Sequence, residues 1–264
     1  MGKKKMDQAF KRVLENGDKA FVPYIMAGDG GLENLDEQLH FLEESGATVV
    51  ELGIPFSDPV ADGPVIQEAG LRALQNNVSL RSVLDKLAET KESRNIPIVL
   101  MTYINPIYAY GVKEFAQACD RAGVDGLIIP DLPLEEETII VGDIREYDIA
   151  LIRLAALTST KERLAEIAKR TEGFLYAVTV TGTTGVRSSF KENLAQHLQD
   201  LQKTSNAPVL AGFGVSTPEH VEELTKSCDG VVVGSRIVDL LHKGDRDTIR
   251  ELIQSARPSQ KTKL

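Results

Sequence analysis

The chain has 264 residues, 42% hydrophobic and 26% charged, with a formal net charge of −9. These proportions describe an ordinary globular protein that buries roughly 75% of its unfolded surface and needs no disulfide or metal staple. The acidic balance argues against nucleic-acid binding, no apolar run reaches membrane-spanning length, and the basic start Lys3-Lys4-Lys5 is not followed by a signal-type apolar segment, so a cytoplasmic protein without membrane or nucleic-acid partners is expected.

In chain order, a helical pattern over 6–15 comes first. Short β-branched runs then alternate with amphipathic stretches. The strands are expected over 21–25, 48–53, 96–103, 124–129, 149–155, 174–179, 208–212 and 230–234. Helices are expected over 32–45, 80–94, 112–122, 135–147, 161–170, 194–204 and 218–226, with a last one over 248–255. Repeated strand–helix units imply parallel strands with crossover helices, and eight of them fit a (β/α)₈ barrel spanning residues 1–264 as one domain. The alternative is a doubly wound open sheet. It usually opens on a Gly-x-Gly-x-x-Gly turn, and Ala27-Gly28-Asp29-Gly30-Gly31 lacks that spacing. Glycines at Gly46, Gly123, Gly126 and Gly230 lie between a helix and the next strand, where glycine ends helices in a left-handed conformation. Cys119 and Cys228 form no Cys-x-x-Cys pair and read as thiols in a reduced compartment.

Glu51 ends the apolar run Thr48-Val49-Val50-Glu51 and is followed by a stiff loop with Pro55, Asp58, Pro59, Asp62 and Pro64. A carboxylate in a strand this apolar needs a reason, because an unpaired buried charge is expensive. Its position suggests proton transfer. The four histidines, His40, His197, His220 and His242, all fall in helical patterns, and none of the eight strands carries a lysine. Histidine catalysis, a histidine metal site and a Schiff-base aldolase are therefore disfavoured. The remaining candidates are Glu51, Asp58, Asp62 and Asp131, with Arg153 of the fifth strand as a partner for one of them.

Long connections follow the second strand (54–77) and the sixth strand (180–190), both at the end of a barrel where active sites sit. The second holds Thr181-Gly182-Thr183-Thr184-Gly185, a composition suited to a lid. Glycine turns follow the last three strands: Gly182 to Gly185, Gly212-Phe213-Gly214 and Gly234-Ser235. They let backbone N–H groups approach phosphate oxygens, with 235–238 as a short phosphate-binding helix.

The stretch Glu51-Leu52-Gly53-Ile54-Pro55-Phe56-Ser57-Asp58-Pro59 with Ala61-Asp62-Gly63-Pro64 closely resembles the signature of the tryptophan synthase α-subunit family. Asn105-Pro106, Asp131-Leu132-Pro133, Gly185-Val186-Arg187, Gly212-Phe213-Gly214 and Gly234-Ser235 resemble it in the same order. The resemblance implies a (β/α)₈ barrel that cleaves indole-3-glycerol phosphate to indole and glyceraldehyde 3-phosphate. It implies no cofactor in this chain, a pyridoxal-phosphate β subunit that receives the indole, and an α₂β₂ heterotetramer. By motif position, Glu51 and Asp62 are the catalytic pair with Tyr176 beside them. Gly185, Gly214, Gly234 and Ser235 hold the phosphate, and Tyr24 and Met101 line the indole pocket. Glu51 is expected to hold a proton and Asp62, in a polar loop, to stay ionised. The lid motif departs from the family's Gly-Val-Thr-Gly at Thr183. Two alternatives remain: another phosphate-binding barrel enzyme, such as an isomerase or indole-glycerol-phosphate synthase, and a regulatory subunit of minor activity.

Overall fold

The computed structural model describes residues 2–178, 187–212 and 214–258, with backbone only for 187–192. Eight strands run in chain order around a closed barrel: β1 (Ala20–Met26), β2 (Val50–Gly53), β3 (Ile98–Met101), β4 (Gly126–Ile128), β5 (Ala150–Ala156), β6 (Leu175–Val178), β7 (Val209–Gly212) and β8 (Gly230–Val233). All neighbours are parallel, and β1 closes the ring on β8 with Ala20 opposite Gly230 and Pro23 opposite Val233. The (β/α)₈ expectation holds and the open sheet does not.

Around the barrel lie α1 (Lys3–Glu15), α2 (Leu35–Ser45), α3 (Pro64–Gln75), α4 (Leu80–Glu89), α5 (Ile104–Tyr110), α6 (Val112–Ala122), α7 (Thr138–Glu146), α8 (Lys161–Arg170), α9 (Arg187–Thr204), α10 (Pro218–Leu224), α11 (Ser235–Lys243) and α12 (Arg246–Ser255). Two of them, α3 and α5, are missing from the sequence expectation. The buried face of α3 is Ile66, Ala69, Gly70 and Ala73, so its helical period is carried mostly by small residues with little apolar contrast. Pro64 at its first position has the φ a helix start requires. Helix α5 has only seven residues and holds Pro106 in its first turn, where no N–H is needed. Helix α11 runs nine residues instead of the four expected over 235–238. Gly46 and Gly123 end helices in the left-handed region, at φ 98° and 69°. Gly126 and Gly230 do not. Each opens a strand, and a Cβ on Gly230 would lie 2.3 Å from the Ala20 carbonyl oxygen.

Strand alternation divides each strand between helix layer and barrel interior. Val22, Val49, Val99, Ile128, Ile152, Tyr176, Leu210 and Val232 share the interior with Met6 and Phe10 of α1 and with Phe174. The Phe10 and Phe174 rings stand 5.6 Å apart. Burying each of these large side chains contributes about 2–3 kcal/mol, and together they plug the N-terminal end. The same alternation corrects the expectation for Arg153. Flanked by the inward Ile152 and Leu154, it faces outward, and its guanidinium takes Glu137 of the segment leading into α7, Nε to Oε1 at 2.5 Å and Nη2 to Oε2 at 2.7 Å. None of the four candidate carboxylates is its partner.

Candidate active site

Glu51 lies one position beyond Val50 on β2, pairs in register with Tyr24 of β1 and Val99 of β3, and points inward two residues after Val49. It is 2% exposed, and its Oε2 has no hydrogen-bond partner among the described residues. Burial, with a smaller contribution from the Asp62 charge, pushes its carboxyl up to about 8. Asp62 sits in the turn before α3. Burial raises it to about 6, against the pull of the Tyr103 hydroxyl, which lowers it. The expected order of the two groups is therefore present. Asp62 is less polar in its surroundings than its loop position implies, yet it is still ionised at neutral pH.

Tyr103 anchors that turn. Its hydroxyl accepts a hydrogen bond from the Ala61 N–H at 3.0 Å, and its ring lies 5.3 Å from that of Phe56. Tyr24 and Tyr176 reach into the barrel from opposite sides. Each is buried, which drives its phenol well above the ordinary value, and the Glu51 charge adds to this for both. Glycines make the room. A Cβ on Gly53 would lie 1.9 Å from the Tyr24 hydroxyl, and one on Gly212 would lie 2.1 Å from Cε1 of Tyr176. No real Cβ contact is that short, so the two glycines set where both rings can stand.

One cavity of about 500 Å³ gathers Tyr24, Glu51, Asp62, Met101, Tyr176, Gly214, Gly234 and Ser235. Gly185 and the rest of the 181–185 turn lie outside the described residues. Gly214 has φ 77° with open space where a Cβ would be, so its glycine is required by backbone conformation and leaves room in front of it. Gly234 precedes α11, and Ser235 is that helix's first residue, so the start of a helix, with its free N–H groups, lies in the cavity lining. Asp58 and Asp131 are elsewhere. Asp58 is exposed and accepts from the Ser57 hydroxyl at 2.5 Å, and Asp131 caps α5 by accepting from the Ile104 N–H at 3.0 Å.

Sequence reasoning missed Tyr103, the two interior glycines and Arg236, which also lines the cavity. Tyr103 was accessible through parity, since it falls two residues after Met101 and four after Val99. A second cavity of about 350 Å³ opens between β1 and α11, but its Asp29 is held by Arg72 at 2.7 Å and its Glu37 by Arg246 at 2.6 Å. Among the described residues, no group of three or more His, Cys, Asp and Glu could hold a metal ion, and no helix is long and apolar enough to cross a membrane.

Fold and family-wide activity together define a (β/α)₈ barrel enzyme, with a cavity at the C-terminal mouth of its strands that holds two carboxylic side chains, Glu51 and Asp62. Residues 10–263 match the family model described as tryptophan synthase alpha chain. The chain belongs to that family, the lyase component of tryptophan biosynthesis. It is 57% identical over 256 residues to the tryptophan synthase alpha chain of Oceanobacillus iheyensis, covering 97% of this chain and 98% of that one. It is 53% identical over 260 residues to the Bacillus cereus protein of the same name, covering 98% and 99%. Among solved structures, tryptophan synthase subunit alpha from Legionella pneumophila superposes with a TM-score of 0.86 at 32% identity, covering 98% of each chain.

Proposed function

We propose that this chain cleaves indole-3-glycerol phosphate to indole and glyceraldehyde 3-phosphate by a retro-aldol step in which the indole ring is the electron sink. Glu51, protonated, delivers its proton to indole C3, and the ring becomes a cationic indolenine. The C3–C3′ bond then breaks, its electron pair returns to the ring, and the 3′-hydroxyl proton passes to Glu51 as the aldehyde forms. Glu51 ends as it began. Asp62, ionised, accepts a hydrogen bond from the indole N–H and stabilises the transient positive charge. Tyr176 packs beside Glu51, Tyr24 and Met101 border the ring, and Gly185, Gly214, Gly234 and Ser235 hold the phosphate.

The observation that carries this reading is the pairing, in one cavity, of a buried glutamate at about 8 with an aspartate at about 6. Between those values one is an acid and the other a base, which the chemistry requires. Likeness to M. tuberculosis tryptophan synthase, at 30% identity with a TM-score of 0.84, supports assembly with a second subunit. By this reading the partner is a β subunit carrying pyridoxal phosphate in an α₂β₂ heterotetramer in the cytoplasm, and it receives the indole.

The test is indole release from indole-3-glycerol phosphate with and without a β subunit. Glu51→Gln and Asp62→Asn are each expected to fold and to cleave at least about a hundredfold more slowly. Full activity in Glu51→Gln would sink the assignment. An absence of cleavage with or without partner would favour a non-catalytic subunit.

A further inference from the structure

Four ionisable residues line the cavity among those described: Glu51, Asp62, Asp239 and Arg236. With Glu51 protonated, Asp62 and Asp239 carry the negative charge. A substrate bearing a phosphate dianion would enter a mouth of its own sign unless one group there offsets it. Arg236 is the second residue of α11, beside Gly234 and Ser235 and across from Gly214 to Ser216. Its Nε is buried without a hydrogen-bond partner among the described residues, and its Nη1 reaches Asp239 at a loose 3.3 Å. Asp239 does not depend on that contact. Lys243, one turn further along α11, sits 2.8 Å from its Oδ1 and 2.9 Å from its Oδ2.

The geometry points to Arg236 as a substrate-binding residue for the phosphate: its guanidinium exchanges the long contact to Asp239 for the phosphate oxygens held at Gly234, Ser235 and Gly214. The inference rests on the phosphate site proposed above. Three features favour the exchange. A guanidinium binds phosphate with two parallel hydrogen bonds, stronger than one long bond to a carboxylate. Lys243 neutralises Asp239 when Arg236 leaves it. The N-terminus of α11 adds its own N–H groups and dipole at the same place, so cation and helix end act on one anion. Asp239 then acts as a parking position that keeps the guanidinium at the rim when no phosphate is bound.

The experiment titrates glycerol 3-phosphate, and separately inorganic phosphate, into the full chain by calorimetry, and measures cleavage kinetics with the β subunit present. The proteins are the parent, Arg236→Gln, Arg236→Lys, Asp239→Asn and, as a control for lost charge, Arg250→Gln at an exposed position of α12. Arg236→Gln is expected to weaken glycerol 3-phosphate binding about 10- to 100-fold, the scale of a charge-assisted pair. It should raise KM far more than it lowers kcat, and flatten the salt dependence of binding. Arg236→Lys should recover part of the loss. Asp239→Asn should bind glycerol 3-phosphate more tightly than the parent, and Arg250→Gln should match it. Binding of uncharged indole should be the same in all five, which a merely structural defect would not allow. Parent-like phosphate binding by Arg236→Gln would overturn the assignment of Arg236 and leave the phosphate site standing. Absence of phosphate binding by the parent itself would overturn both.

Discussion

Replacing Glu51 by Gln should stabilise the protein progressively, relative to the parent, as pH rises. The structure buries this carboxyl at the floor of the cavity, 2% exposed and with one oxygen unpartnered among the described residues. Its folded value of about 8 stands above the ordinary 4.5. Between those two values the native state holds more protons than the unfolded chain, so stability falls as pH rises through the window. Below about 4.5 the penalty is absent, and above about 8 it is complete. At about 1.36 kcal/mol per pH unit, the penalty is roughly 2 kcal/mol at pH 6 and roughly 5 kcal/mol at pH 9. These figures are ceilings, because relaxation and water penetration around an ionised Glu51 reduce them. Glutamine has nearly the shape of the protonated acid and does not titrate. Whatever constant its amide adds, the difference between variant and parent should therefore grow, by up to about 3 kcal/mol, from pH 6 to pH 9. Urea unfolding followed by far-UV circular dichroism at pH 6, 7, 8 and 9 measures it. A difference that stays flat within about 0.5 kcal/mol across that range would refute the claim that Glu51 is held neutral by burial.

Other outcomes follow from the same geometry. The pH profile of cleavage should be bell-shaped, rising as Asp62 ionises near 6 and falling as Glu51 ionises near 8. Asp62→Asn should remove the acid limb from the residual rate, and a residual rate that keeps both limbs would contradict the assignment. Gly212→Ala drives a methyl into the buried Tyr176 ring and should cost about 1–3 kcal/mol. A cycle with Tyr176→Leu should show coupling of that order, and additive costs would show that the ring is not what the glycine accommodates. Glu137→Gln leaves Arg153 buried without its partner carboxylate and should cost about 3–5 kcal/mol in urea unfolding, while kcat of the folded protein stays within about twofold. A large fall in kcat would mean that the pair communicates with the barrel interior. Tyr103→Phe removes the acceptor of the Ala61 N–H and a group that lowers the Asp62 value, so the acid limb should move to higher pH. An unmoved limb would separate Tyr103 from Asp62.

The barrel was readable from sequence because strands buried on both faces are apolar runs, and because Gly46 and Gly123 mark where helices stop. Glu51 was readable for the complementary reason: β2 contains one charged residue, so burial made it conspicuous. Helix α3 was not readable, since Ala69, Gly70 and Ala73 pack by being small, and an apolar-contrast argument does not register smallness. The partner of Arg153 is not legible from strand position alone, because strand parity turns residue 153 away from the interior that 152 and 154 face. Gly53 and Gly212 look like turn glycines in the sequence. Only cross-strand register shows that their missing side chains are what Tyr24 and Tyr176 occupy.

Those two glycines also say how the chamber can be redesigned. Each phenol stands in a notch cut in a neighbouring strand, so ring and notch form a single fitting. Enlarging the chamber for a bulkier heterocycle by trimming Tyr176 alone would leave the notch at residue 212 gaping, and filling the notch alone would jam the ring. New substrate shapes should therefore be reached through paired substitutions at 24 with 53, or at 176 with 212, and single-site libraries at these positions should return mostly misfits.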